Sequence, residues 1–166
     1  MKRFLVFMMI LPMLCGCAQG MQFESVEDVY ASEQPLPGEI CVTLPLDAVA
    51  LTASTDSGEQ LYFCDGYTVT VQTLSGGDLD RSLREITGFG KDNLTVFETY
   101  RDDMRCITCV WTSLGETGDQ VGRLVLLDDG SYHYAVSVMT DADNAGSLRQ
   151  RWDDLFSTFK VAHIGA

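Results

Sequence analysis

Apolar and polar residues alternate along several short stretches that follow Gly38. EICVTLP has this pattern, and QLYFCD and GYTVTVQTL continue it on either side of Asp65 and Gly66. Alternation with a period of two is typical of a β-strand with one buried face, and an Asp-Gly pair between two such runs indicates a hairpin. We therefore predict three short strands here, the last two of them joined by a tight turn.

Two later segments have a helical period instead. Leu79, Leu83 and Ile86 recur at i, i+4 and i+7, and Gly88 follows where a helix commonly ends. A second helix is predicted from near Asp143, with an apolar face made of Leu148, Trp152, Leu155, Phe156 and Phe159.

Between the two predicted helices, four alternating runs follow one another: NLTVFETYR, MRCITCVWTS, QVGRLVLLDD and SYHYAVSVMT. Turn-forming residues separate them, including Asp102-Asp103 and Asp129-Gly130. Successive strands with short connections favour an antiparallel meander. The pattern as a whole predicts an α+β fold, in which an antiparallel sheet of about six to seven strands packs with two helices.

The N-terminus differs from the rest of the chain. Lys2 and Arg3 precede eleven apolar residues, 4–14, and this run contains Pro12. A membrane-spanning helix needs about twenty apolar residues, so the run is too short to span and is typical of a secretory leader. We interpret residues 1–16 as a signal peptide.

The leader ends in Leu14-Cys15-Gly16-Cys17, which resembles the lipobox of bacterial lipoproteins. The resemblance implies that Cys17 is the lipidated residue and that Cys15 leaves with the leader. Two or three acyl chains on Cys17 would hold the protein at the extracytoplasmic face of the cell membrane, where one chain alone is marginal. The alternative is a plain secretory signal or a short anchor.

Residues 17–37 are polar and acidic and carry Pro35 and Pro37 near their end. This composition favours a flexible tether between the anchor and a single domain at 38–166. The alternative is that ESVEDVYASE adds one or two helical turns packed on that domain.

The net charge of the chain limits the classes of partner that it can bind. The formal net charge is −13, and removing Lys2 and Arg3 with the leader leaves 24 acidic and 9 basic residues, or −15. Such a chain repels nucleic acid and anionic lipid head groups, so we expect no nucleic-acid partner. We expect a membrane contact through the lipid anchor and a protein or envelope partner.

The element order resembles the PsbP-like fold, which is seen in extracytoplasmic lipoproteins. QVGRLVLLDDGSYHYAVSVM leads into a helix that ends LFSTFKV, and Phe156 and Phe159 occupy the closing aromatic positions of that pattern. The resemblance covers residues 38–161 and rests on packing motifs. It implies a binding or accessory role, since family members include photosystem subunits and a Ran-binding factor. Another small α+β sandwich is the alternative architecture.

Four cysteines remain after the leader. An exported chain permits disulfides, but four cysteines allow three pairings, which the sequence leaves open. Cys41 and Cys64 alternate with apolar neighbours, so they are one possible cross-strand disulfide. Cys106 and Cys109 have the spacing of thiol oxidoreductases, yet in a strand positions i and i+3 face opposite sides. Cys109 is then expected on the apolar face with Ile107 and Trp111.

Other candidate chemistry is weaker. Zinc bound by the four cysteines would need two tight ligand pairs, and the chain has one, so we predict no metal. His133 is interpreted as a solvent-facing strand residue, and neither it nor His163 accompanies a hydrolase motif. DADNAG begins like a calcium loop, but Ala145 stands where an oxygen ligand belongs. A helix N-cap by Asp143 or Asn144 is the favoured interpretation.

These observations favour a lipid-anchored extracytoplasmic binding or accessory module without a cofactor. One alternative is a thiol-based enzyme that uses Cys106 and Cys109, and another is a structural protein of an envelope assembly.

Overall fold

The computed structural model of the protein describes residues 35–51, 58–116 and 118–162. The predicted leader, the lipidation candidate Cys17, most of the tether and His163 lie outside the described residues. The assignments of residues 1–16 and 17–37 therefore stay predictions.

The described residues form nine strands and two α-helices, which follow the predicted order except for β2 and β9, two short strands that no alternating run predicts. The elements are β1 (Glu39–Cys41), β2 (Val49–Ala50), β3 (Gln60–Cys64), β4 (Tyr67–Ser75), α1 (Leu79–Thr87), β5 (Thr95–Arg101), β6 (Met104–Leu114), β7 (Asp119–Asp128), β8 (Tyr132–Asp141), α2 (Ala142–Thr158) and β9 (Lys160–Ala162).

Seven strands make one antiparallel sheet in the order β2-β3-β4-β8-β7-β6-β5. Strands β5 to β8 form the predicted meander, and Asp65-Gly66 closes the predicted β3–β4 hairpin, in which Cys64 is opposite Tyr67. The remaining two strands, β1 and β9, pair with each other in a small second sheet. The predicted α+β class is confirmed.

Each face of the main sheet packs against one helix. On one face, which we call the α2 face, the side chains of α2 contact a cluster that includes Val69, Val136 and Leu127. On the opposite α1 face, Leu83 of α1 packs against a second cluster that includes Ile107 and Leu124. The central strands are therefore buried on both sides.

Helix ends follow local chemistry at α1 but not at α2. The Asp78 side chain accepts a hydrogen bond from the Arg81 amide, and Gly88 ends α1 with a φ of 80° in the left-handed region. Helix α2 begins at Ala142, and its N-cap residue is Asp141, without a side-chain capping bond. The prediction that Asp143 or Asn144 forms the N-cap is wrong, because the helix starts directly at the end of β8.

The strands that carry Cys41 and Cys64 do not pair with each other. Cys41 is opposite Lys160 of β9, whereas Cys64 is opposite Tyr67. Both are free thiols in the structure, as are Cys106 and Cys109. The sequence pattern identifies strands but not their partners, so the disulfide loses the premise on which it was predicted.

No helix within the described part of the chain is long and apolar enough to cross a membrane.

Candidate functional site

The strands at one end of the sheet extend beyond the cover of α2. Phe97 is opposite Thr108, and Val110 is opposite Arg123, which places these side chains on the α2 face. The side of α2 stands next to them and contributes Ala145, Gly146, Arg149, Trp152 and Asp153. We call the resulting depression the α2 groove.

The floor of the α2 groove is apolar and accessible. The groove encloses about 490 Å³, and its floor includes Phe97, which is 65% exposed, and Val110, which is 55% exposed. Leu114, further along β6, is exposed as well. Exposed apolar side chains that lie together and are rimmed by charges are typical of interaction sites.

Two arginines in the wall of the groove have different roles. The Nη1 atom of Arg123 donates to Asp153 Oδ1 at 2.5 Å, and the guanidinium lies 5.1 Å from the centre of the Phe156 ring. Arg123 is thus held against α2. Arg149 is exposed and has no ion pair or hydrogen bond within the described residues, so its charge is available to a ligand.

Strand β5 borders the groove and forms the last strand of the sheet. It pairs with β6 on one side, and none of the described residues pairs with its other side. The backbone groups on a free edge can bond to an added strand from a partner. The groove therefore combines an apolar floor, one available cation and a backbone edge.

The predicted thiol pair is not brought together. Cys106 lies in the cluster of the α2 face and Cys109 in that of the α1 face, with Ile107 and Trp111 as expected. Both side chains are buried, and burial raises the pKa of Cys109 to about 11. A reactive thiol needs access and a lowered pKa, so this arrangement favours a structural role for both cysteines.

The prediction that His133 faces solvent is wrong. Its side chain is 1% exposed because α1 covers this face, and its Nδ1 atom lies 2.8 Å from Ser82 Oγ. Asp128 Oδ1 lies 3.7 Å from Nε2. Burial lowers the pKa of His133. Three residue types of a hydrolytic triad are thus neighbours, but Ser82 belongs to the face of α1 that packs on the sheet and is 1% exposed, so its hydroxyl is not open to a substrate.

Sequence reasoning missed the α2 groove. A signal was present, because Phe97 and Val110 are large apolar residues on strands whose apolar alternation already assigns Val96, Ile107 and Cys109 to the opposite face. A strand that is apolar on both faces is either covered on both sides or exposes one of its apolar faces to solvent. Arg149 gave no signal, since an isolated surface cation is ordinary on a helix.

The fold and the groove define a class of protein: an antiparallel sheet covered by one helix on each face, with an open apolar groove beside one of the helices. No protein-family model matches the chain, and comparison with curated proteins finds no match. Solved structures identify the fold.

A protein from Bacteroides thetaiotaomicron VPI-5482 is similar, with a TM-score of 0.54 and 12% identity over 76% of this chain and 46% of that one. The chain thus spans less than half of that protein. The cyanobacterial PsbP, CyanoP, of Synechocystis sp. PCC 6803 has a TM-score of 0.53 and 9% identity, over 75% of this chain and 92% of that one.

LpqN of Mycobacterium tuberculosis, which is involved in cell envelope biogenesis, has a TM-score of 0.50 and 11% identity, over 76% of this chain and 86% of that one. Identities this low carry the fold and nothing more. The chain has a PsbP-like α+β fold.

Proposed function

We propose that this chain is a lipid-anchored, extracytoplasmic binding module of a bacterial cell envelope. Its partner is a protein that places an extended segment, with apolar side chains and a carboxylate, in the α2 groove. The single observation that carries the proposal is the exposed pair Phe97 and Val110 beside Arg149, which has no ion-pair partner in the described ranges. The lipobox-like residues before Cys17 support the anchor, and the similarity to LpqN is consistent with an envelope role.

Each part of the groove has a function in this binding mode. An apolar side chain of the partner covers Phe97 and Val110, which removes exposed apolar area from water. A carboxylate pairs with Arg149, and because the chain is otherwise strongly acidic, this cation selects where an acidic segment can approach. Backbone groups of the segment bond to the free edge of β5.

Photocrosslinking with the full-length, membrane-anchored chain tests the groove. A photoreactive phenylalanine analogue at position 97 should crosslink to one extended protein segment. The same analogue at position 100 is the matched control, because Tyr100 is exposed on the same strand but belongs to the α1 face. Crosslinks from position 97 that reach only lipid, or that equal those from position 100, contradict the proposal. A crosslink to a second copy of the chain supports a structural assembly instead.

A peptide with the sequence of the crosslinked segment then tests the charge. Arg149→Glu should weaken its binding at least about tenfold, because attraction at a partly desolvated site becomes repulsion. Arg151→Glu introduces the same charge change at an exposed position of α2 that does not line the groove, and it should leave binding nearly unchanged. Equal losses in the two variants argue against a site at Arg149.

The anchor has a separate test. We expect Cys17→Ala to abolish acyl labelling and to release the protein from membranes, while Cys15→Ala leaves both unchanged. The opposite result assigns the anchor to Cys15.

A thiol-based enzyme is not favoured by any contact of Cys106 or Cys109. Insulin reduction by the full chain, lost in Cys106→Ser, would nevertheless contradict a function by binding alone.

A further inference from the structure

A second cleft lies on the α1 face, beside α1 and over strands β3, β4 and β8. Its floor is formed by the polar side chains of Thr68, Thr70, Gln72 and Ser137. Glu59, which precedes β3, and Glu85 of α1 line it as well. We call it the α1 cleft. It encloses about 290 Å³, and among the described residues no lysine, arginine or histidine lines it.

The polar floor is unusual because it belongs to the centre of the sheet. Thr70 is opposite Ser137, and Gln72 is opposite Ala135, so these residues continue the face on which α1 packs its apolar side chains. Gln72 is 7% exposed and Ser137 is 8% exposed. Neither side chain has a hydrogen-bond partner among the residues that the structure describes.

The side chains of Gln72 and Ser137 are more than nine-tenths buried, but their polar atoms are not among the fully enclosed, unpartnered polar atoms of the described residues, so they remain open to a ligand or to water. Both Gln72 and Ser137 line the α1 cleft, which gives them access to a ligand that enters there. The amide oxygen of Gln72 and the hydroxyl oxygens of Ser137 and Thr70 can each accept a hydrogen bond.

The charged side chains around the cleft favour a ligand with a positive charge. Glu59 and Glu85 form no ion pair with any described residue, and they are the charged groups that line the cleft. A cation in the cleft would therefore meet two uncompensated carboxylates and no repelling group. Ile86 and Met139 add an apolar surface beside the carboxylates.

We propose that the α1 cleft binds a small organic cation, an ammonium or guanidinium group on a short aliphatic chain. The charged group pairs with Glu59 and Glu85 and donates hydrogen bonds to Gln72 and Ser137, and the aliphatic chain contacts Ile86 and Met139. A metal ion fits less well, because the described residues contain no group of three or more metal-ligating side chains.

Titration of the full-length Cys17→Ala chain with cadaverine, followed by calorimetry and by the side-chain amide signals of Gln72, tests the site. We expect saturable binding that shifts these signals. The double variant Glu59→Gln with Glu85→Gln should weaken binding at least about tenfold, since charge-assisted hydrogen bonds are roughly twice as strong as neutral ones. Gln72→Leu should weaken it by about tenfold while the chain stays folded.

Two controls separate the site from general attraction of a cation to an acidic protein. Glu116→Gln removes an exposed carboxylate that does not line the cleft, and it should leave the affinity within about twofold. The diol analogue of cadaverine has the same length without the charge and should not bind. The proposal is overturned if the diol binds as tightly, if Glu116→Gln acts like the double variant, or if magnesium displaces cadaverine at equal concentration.

Discussion

The two faces of the sheet are each covered by one helix, but the surface that the helix leaves open differs between them. Helix α2 has 17 residues and brings Trp152, Phe156 and other apolar side chains onto the middle of its face. Helix α1 has 9 residues and covers a smaller apolar cluster, next to which His133, Gln72 and Ser137 are buried.

Beside α2 the open part of the sheet is apolar, whereas beside α1 it is polar and acidic. The two sites can therefore take ligands of opposite character without competing. We also expect the α1 face to lose more stability than the α2 face when a buried polar side chain is protonated or replaced, because polar side chains are part of its buried layer.

The largest effect is expected at Gly122, which has no room for a side chain against the α1 face. Gly122 is opposite Trp111, and a Cβ atom at position 122 would overlap the indole ring of Trp111. Gly122→Ala should lower the free energy of unfolding by about 3 kcal/mol, because overpacking forces a buried ring and two strands to shift. Urea unfolding of the variant and the parent measures the difference.

Gly146→Ala on α2 is the matched control for Gly122→Ala. A Cβ atom at position 146 meets no atom within 4 Å, and alanine is the better helix former. The free energy of unfolding should rise by up to about 1 kcal/mol. If both glycine substitutions destabilise the protein equally, the tight packing assigned to the α1 face is wrong.

A loss of stability of intermediate size is expected at acidic pH. Burial lowers the pKa of His133 below its ordinary value, an effect that Arg105 and Arg81 reinforce and Asp128 and Asp129 oppose. The unfolded chain then binds the proton more readily, so stability is lost as the pH falls through the ordinary value of about 6.5.

The variant His133→Gln isolates this effect. Between about pH 7 and about pH 5 the parent should lose stability more steeply than the variant, by at most about 1.4 kcal/mol per pH unit. Urea midpoints at several pH values give the two slopes. Parallel slopes would mean that His133 gains its proton without disturbing the α1 face.

Much of this fold can be predicted from the sequence because most of its elements and turns are specified by residues that are close together in the chain. Successive strands are joined by short turns, so the alternation alone gives the meander from β5 to β8 and the β3–β4 hairpin. The i, i+4, i+7 spacing and Gly88 likewise give α1. Each of these signals lies within a few residues of the structure that it predicts.

The errors concern contacts between residues far apart in the chain. The partner of β1 is the last strand, and no local pattern indicates that pairing. His133 alternates with two tyrosines, and alternation cannot tell which face is solvent when a helix covers each one. The α1 cleft was missed for the same reason, since it lies between a helix and strands that are distant in sequence. The α2 groove left a local signal in Phe97 and Val110, but the helix that borders it comes from a distant part of the chain.

The smallest effect is expected at the turn between β5 and β6, which belongs to neither face. Asp102 and Asp103 both have positive φ values, 50° and 63°, and the turn has two residues between Arg101 and Met104. Glycine adopts this backbone region at less cost than aspartate, so Asp103→Gly should raise the free energy of unfolding by about 0.5 to 1 kcal/mol. Because the turn lies outside both sites, peptide binding in the α2 groove and cadaverine binding in the α1 cleft should not change. A loss of either with Asp103→Gly would mean that this turn positions that site, and the two faces would then be coupled through β5 and β6.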